Sequence, residues 1–191
     1  AEIRSIAIYV WIWTGLMTVH WMTAITIIDG WSQDPEERIV FFSLLEQIVT
    51  PLTLIMQLFL TNLSIKYFGV KKILMTYGLL FIIVFILYGF MPSITIVAVA
   101  TVTLRLFEYG LNKPTRETVY STLAKNDRYK SSVFIDTFVS RLGDLSGSSF
   151  IGVGKLFSIG FSSMPLIAIP IAGVLSLAGL KISKNERLKD F

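Results

Sequence analysis

The sequence has no cysteine, a single histidine and few charged residues. Without cysteine the chain forms no disulfide, no thiolate nucleophile and no zinc–thiolate site. One histidine, His20, excludes a metal centre built from several imidazoles. No nucleophile stands in a recognisable pattern with a base, so we predict that the chain is not an enzyme and holds no metal or cofactor.

Charge is scarce because apolar residues fill long runs of the chain. Charged residues make up 16% of the sequence and hydrophobic residues 53%, whereas soluble domains carry about 25% charged residues. We predict an all-α integral membrane protein, since a transmembrane helix needs about 20 apolar residues and a barrel would show short alternating segments instead. The predicted fold is one module over residues 1–191 with six transmembrane helices, at 5–28, 39–63, 73–91, 93–111, 133–156 and 164–180.

The loops between these spans differ in charge. Lys66, Lys71 and Lys72 lie between the second and third spans, whereas the first loop, "DGWSQDPEER", is mostly acidic. Because basic residues concentrate in cytoplasmic loops, we predict that both termini and the 112–132 loop are cytoplasmic. The excess of bases in these loops explains the net charge of +4. The positive charge therefore does not indicate binding to nucleic acid, and no nucleic-acid partner is predicted.

The longest polar stretch is "NKPTRETVYSTLAKNDRYK", residues 112–130. Pro114 suits the first turn of a short helix, which Asn126 and Asp127 would end. We expect this amphipathic helix to lie at the cytoplasmic face of the bilayer. The candidate binding residues of the loop are its bases: Lys113, Arg116, Lys125, Arg128 and Lys130.

Four of the six spans carry polar residues at helical spacing. These stripes are Thr14, Thr18 and Trp21; Glu46, Thr50, Thr53, Gln57 and Thr61; Thr101, Arg105, Glu108 and Asn112; and Thr137, Arg141, Asp144, Ser148, Gly152 and Lys155. Spans one, two, four and five are therefore predicted to line a polar interior, and spans three and six to face lipid. The pattern resembles one 3+3 inverted-repeat half of a major-facilitator transporter.

The ionisable residues of the spans are the candidates for substrate binding or coupling: Glu46, Arg105, Glu108, Arg141, Asp144 and His20. Each arginine stands three residues before an acid and could pair with it, or it could bind an anionic solute. Glu46 could pair with Arg105 or Arg141 across the bundle, or titrate as a coupling group. For His20 we favour an interhelical hydrogen bond over a proton relay, and for all of these groups a purely adhesive role between helices is the alternative.

The fifth span combines charge with small residues. Arg141 and Asp144 are expected to point into the bundle, because unpaired charges are costly in a bilayer. Loss of Arg141 should then leave Asp144 unpaired and destabilise the protein by several kcal/mol. Two pairs of small residues four apart, Gly143 with Gly147 and Ser148 with Gly152, favour close helix packing.

One stretch of the sequence resembles a known family. Residues 112–144 contain Lys113-Pro114-Thr115-Arg116-Glu117, Tyr120, Tyr129-Lys130, Phe134-Ile135-Asp136 and Arg141-Leu142-Gly143-Asp144. In this order they are similar to a region of the bacterial and plastid ATP/ADP translocases, in the C-terminal six-helix half. The resemblance implies exchange of nucleotides or phosphate across a bacterial inner membrane. The chain departs from the family at Asp144, where well-studied exchangers carry lysine, and at His20, where the first helix of this half usually carries an acid.

Two functions follow as hypotheses. The first is a half-module of a transporter that moves an anionic, nucleotide or phosphate-bearing solute by alternating access. It would need a second six-helix half, supplied by another chain, an upstream segment or a second copy. The alternative is a non-transporting subunit, derived from a transporter, of a larger membrane complex.

Overall fold

The computed structural model describes residues 2–123 and 125–182, and these residues are helical except at short connections. No strand occurs in either range. The α-helices are α1 (Glu2–Trp31), α2 (Pro35–Ile55), α3 (Thr61–Phe90), α4 (Ile94–Phe107), α5 (Lys113–Ser121), α6 (Lys125–Phe134), α7 (Ser140–Leu156) and α8 (Ser163–Ile182).

Three π-helical segments join neighbouring helices without a break: Met56–Leu60, Glu108–Asn112 and Ile135–Val139. The described residues therefore form five continuous helical segments instead of six separate helices. The predicted loop 64–72 is not a separate non-helical connection, because its residues stay helical on both sides of Gly69. Only Gly69 leaves the helical conformation there, with φ of 74° and ψ of 158°.

The predicted loop 112–132 is also mostly helical. Residues 113–121 extend the fourth segment, and helix α6 begins again at Lys125. Asn126 and Asp127 lie within α6 and do not end a helix. The polar residues after Leu111 thus continue a spanning helix, because Pro114 occupies its first turn after the π-helical segment without interrupting it.

Local signals set two of the short connections between helices. Asp34 caps α2, since its side chain accepts a hydrogen bond from the Glu36 backbone at 2.9 Å, and Pro35 follows in the first turn. Ser93 caps α4 by accepting from the Ile96 backbone at 3.3 Å. Each cap starts a new helix within three residues of the end of the previous one.

Four helical segments are long and apolar enough to cross a membrane: Ile3–Trp31, Pro35–Phe90, Ile94–Ser121 and Ser163–Ile182. The 125–156 segment, which holds the predicted fifth span, is not among them because its charged, serine and glycine residues lower its hydropathy. Large apolar side chains are exposed on the outside of the bundle, among them Phe59, Phe90 and Leu156. Long apolar helices with an apolar exterior are the features of a multi-pass membrane protein.

The core lies around α1, α3 and α8. Helix α1 packs against α7 and α8, and α3 packs against α8. Four aromatic side chains of α3 are buried in this core: Tyr77, Phe81, Phe85 and Tyr88. Helices α3 and α8 were predicted to face lipid, but this holds only for their outer residues, such as Ile83 and Leu177, which are exposed.

Small residues let α1 and α7 approach closely, as the spacing of Gly143 and Gly147 predicts. A Cβ on Gly143 would lie 1.7 Å from Thr14 Oγ1, and one on Gly147 would lie 2.4 Å from the Gly15 carbonyl oxygen. The pair Ser148 and Gly152 does not pack in this way, since nothing lies within 4 Å of a Cβ placed on Gly152. Close contact is thus confined to one face of α7.

Candidate functional site: a polar cleft inside the bundle

A cleft of about 740 Å³ opens between the middle parts of four helical segments. Its walls come from α1, α2, the α4–α5 segment and the α6–α7 segment, as the polar stripes predict; α3 and α8 contribute nothing. The residues around it are Trp13, Thr14, Met17, Thr18, Trp21, Glu46, Arg105, Glu108, Tyr109, Lys113, Arg116, Asp136, Ser140, Arg141 and Asp144.

Charged side chains of both signs face this cleft in equal number. The acids are Glu46, Glu108, Asp136 and Asp144, and the bases are Arg105, Lys113, Arg116 and Arg141. Their formal charges cancel, so the electrostatic character of the cleft depends on which groups are already paired and which are accessible.

The innermost pair joins Arg116 to Glu108. An Nη2 to Oε1 distance of 2.7 Å connects them, and both side chains are buried, with 7% and 5% of their surface exposed. Arg116 Nη1 also lies 3.5 Å from Asp136 Oδ1, and the guanidinium lies 4.6 Å from the centre of the Trp13 ring. Arg116 was predicted in a cytoplasmic loop, but it lies inside the bundle because α5 continues the fourth segment.

Asn112 completes the hydrogen bonding of Glu108 and is itself held by Tyr9. Asn112 Nδ2 donates to Glu108 Oε2 at 2.5 Å, and Tyr9 OH donates to Asn112 Oδ1 at 2.8 Å. The carboxylate thus accepts bonds at both oxygens, as a buried charge requires. This network fixes α1 to the α4–α5 segment and engages both oxygens of Glu108, whereas Arg116 Nε has no hydrogen-bond partner among the described residues.

Arg105 pairs with Glu46 across the bundle. Of the two predicted partners for Glu46, the structure selects Arg105, and the expected pair of Arg105 with Glu108 inside one helix does not form. Arg105 also lies 5.8 Å from the centre of the Tyr109 ring. This pair ties α2 to α4.

Arg141 and Asp144 form the predicted pair within α7, at 3.3 Å. Asp144 also accepts a hydrogen bond from Thr18 Oγ1 of α1 at 3.1 Å. Both residues line the cleft as predicted, but 82% of the Arg141 side chain is exposed there. An exposed pair contributes at most about 1 kcal/mol, so the predicted loss of several kcal/mol on removing Arg141 does not follow.

Lys113 differs from the other bases of the cleft. It is exposed and has no ion-pair partner among the residues that the structure describes. Arg128 and Lys130 are exposed on α6 but do not line the cleft, and the side chain of Lys125 lies outside the described part. Lys113 and Arg141 are therefore the two bases that a solute entering the cleft would meet.

His20 lies outside the cleft. It is fully buried, with Nδ1 3.0 Å from Tyr88 OH and Nε2 3.4 Å from Thr101 Oγ1. These contacts join α1 to α3 and α4, which is the interhelical role favoured for it over a proton relay. The described residues also contain no group of three or more histidine and acidic side chains placed to hold a metal ion.

The π-helical segment Glu108–Asn112 carries two residues of the cleft, Glu108 and Tyr109, and is held by side chains of the neighbouring segment. Gln57 Nε2 donates to the Tyr109 carbonyl at 2.8 Å, and Thr61 Oγ1 donates to the Gly110 carbonyl at 2.5 Å. A π-helical turn inserts an extra residue and is frequent at functional sites. Gln57 and Thr61, predicted as part of the polar stripe, here stabilise the wide turn that carries Glu108.

Comparison with known proteins gave no match: no family model, curated protein or solved structure is significantly similar to this chain. The resemblance of residues 112–144 to the ATP/ADP translocases therefore stays a prediction from the sequence.

Proposed function

We propose that this chain is a half-module of a membrane transporter for an anionic, phosphate-bearing solute. The observation that carries the proposal is the accessibility of Arg141 and Lys113 in a polar cleft enclosed by apolar helices. Only one Arg141 nitrogen is engaged, at 3.3 Å from Asp144, while a guanidinium has five N–H donors in a planar fork that matches phosphate oxygens.

The course of the chain supports six crossings of the membrane. Glu46 meets Arg105, and Thr61 meets Gly110, so α2 and α4 run in the same direction. Tyr77 meets Leu104 across the short connection 91–93, so the part of α3 after Gly69 runs opposite to α4. The chain thus reverses near Gly69. A straight helix over residues 35–90 would be about 84 Å long. This is far longer than the hydrocarbon core of about 30 Å that a single span crosses.

The helix contacts support a 3+3 repeat. Counted as six spans, the largest contacts join one to five, two to four, one to six, three to four, one to four and three to six. Exchanging the first three spans with the last three turns these pairs into one another, while the smaller contacts of α1 with α3 and of α5 with α6 have no such counterpart. Such a pattern fits a half built from two related triplets, with the cleft near the middle of the bilayer.

The size and walls of the cleft suit a solute as large as a nucleotide. Small-molecule sites have volumes of about 300–1,000 Å³, and this cleft has about 740 Å³. Trp13 and Trp21 add aromatic surface, against which a base could stack. The module would lie in a bacterial inner membrane with both termini cytoplasmic, and a second half would close the open side of the cleft.

Counterflow in proteoliposomes tests the proposal. Vesicles that contain the purified assembly and unlabelled ATP or phosphate should take up the same labelled anion, and Arg141→Gln should abolish the uptake. Arg38→Gln is the matched control, because Arg38 pairs with Asp29 away from the cleft. Uptake of a neutral sugar without competition by anions would contradict the proposal.

A non-transporting subunit of a membrane complex is the second candidate. The observation that favours it is that seven of the eight charges in the cleft already pair with each other, as groups that only hold helices together would. Purification in mild detergent, followed by mass measurement, distinguishes the two. Stable association with unrelated membrane proteins and no counterflow would favour the subunit.

A further inference from the structure

A second, smaller groove lies beside Gly69, away from the polar cleft. It has a volume of about 210 Å³ and runs between the two arms that meet at Gly69 and the α4–α5 segment. Phe68, Ile73, Phe107 and Leu111 form its apolar wall, and Ser64 and Lys72 stand at its polar margin. The groove is thus apolar inside and basic at one edge.

Further lysines surround that edge. Lys66 and Lys71 are exposed on the same turn as Lys72. None of the three has an ion-pair partner within the described ranges. Tyr67 and Phe68 between them are largely exposed, at 76% and 62%. A turn at the end of apolar helices that presents lysines and aromatic rings fits the boundary between lipid tails and headgroups.

We infer that this groove binds one anionic glycerophospholipid. Its phosphate would lie against Lys72 and Lys71, and one acyl chain would lie along Phe68, Ile73 and Phe107. The charge of the turn selects an anion, because no acid lies between Ser64 and Lys72 to offset the three lysines. The apolar wall requires an acyl chain attached to that anion, and inorganic phosphate has none. The inference is independent of transport, since none of these residues lines the polar cleft.

Native mass spectrometry of the delipidated full chain tests the inference. Phosphatidylglycerol should bind at least about tenfold more tightly than phosphatidylcholine with the same chains. Lys72→Gln should weaken phosphatidylglycerol binding about fivefold, since each lysine near anionic lipid contributes about that factor, and it should leave phosphatidylcholine unchanged. Lys72→Arg should keep most of the affinity, and an unchanged melting temperature would show that both variants fold.

Two controls decide what occupies the groove. Lys155→Gln removes an exposed lysine of α7 that does not line the groove, and it should not alter lipid binding. Glycerol phosphate at millimolar concentration should not displace phosphatidylglycerol if the acyl chain is held. Equal binding of the two lipids, displacement by glycerol phosphate, or equal effects of Lys72→Gln and Lys155→Gln would each overturn the inference.

Discussion

Arg116 and Glu108 stand eight residues apart on one continuous helical segment, yet their side chains meet at 2.7 Å. In a regular α-helix the eighth residue is rotated by about 80° from the first. The π-helical segment 108–112 accommodates one extra residue, so Arg116 takes nearly the angular position of a seventh residue, about 20° away. The wide turn thus places both charges on the same face.

Breaking this pair from one side should be among the most destabilising single changes in the protein. Arg116→Leu leaves Glu108 buried without its cation, and we expect a loss of about 3–5 kcal/mol in the free energy of unfolding. The double variant Arg116→Leu with Glu108→Leu should recover much of that loss. Thermal unfolding in detergent measures both. Arg38→Gln, which breaks a partly exposed pair, should cost about 1 kcal/mol or less, and an equal loss in all variants would refute the buried pair.

The contact of α7 with α1 should not tolerate an added methyl group. Gly143→Ala places a Cβ 2.5 Å from the Trp11 carbonyl oxygen as well as against Thr14, and overpacking of this kind costs about 1–3 kcal/mol. Gly152→Ala on the same helix meets nothing within 4 Å and should leave the melting temperature unchanged or slightly raised. Similar melting temperatures for the two variants would show that α1 and α7 are not in close contact.

Arg141 should separate stability from solute binding. Because its side chain is mostly exposed in the cleft, Arg141→Gln should lower the free energy of unfolding by no more than about 1 kcal/mol. The same variant should lose affinity for phosphate-bearing solutes by at least about tenfold, as loss of a charge-assisted hydrogen bond predicts. Unfolding curves and equilibrium binding on one preparation measure both. A strong loss of stability with unchanged binding would make Arg141 a purely structural residue.

The predicted orientation in the membrane can be tested by cysteine labelling, since the chain has no cysteine of its own. Ser32→Cys lies between α1 and α2, and Ser121→Cys lies at the end of α5. An impermeant thiol reagent added from outside the cell should label the first residue, and should label the second only after the membrane is opened. Labelling of both from the same side would contradict the six-span topology.

Much of the cleft could be predicted from helical spacing alone. Thr14, Thr18, Glu46, Arg105, Arg141 and Asp144 all line it because each belongs to a polar stripe within an apolar run. The place of Arg116 could not be predicted in this way, since the polar residues after Leu111 suggested a loop and the π-helical turn changes the register by one residue.

The remaining differences have similar physical causes. Trp13 and Tyr109 line the cleft but carry no polar signal in a sequence rich in aromatic residues. Asp136 lies before the stripe of the fifth span and in a second π-helical segment. Tyr77 and Tyr88 looked apolar within the third span, yet their hydroxyl groups bond to Leu104 and His20. Wide turns and tertiary hydrogen bonds of this kind leave no periodic trace.

Protection of a cysteine in the cleft tests most directly whether the cleft binds an anionic solute. Ser140→Cys lines the cleft, and Ser121→Cys outside it is the control. ATP or phosphate should slow the reaction of Ser140→Cys with a thiol reagent, should leave Ser121→Cys unaffected, and should lose its effect when Arg141→Gln is added. An unchanged rate at saturating anion, or equal slowing by a neutral sugar, would contradict an anion site at Arg141 and Lys113.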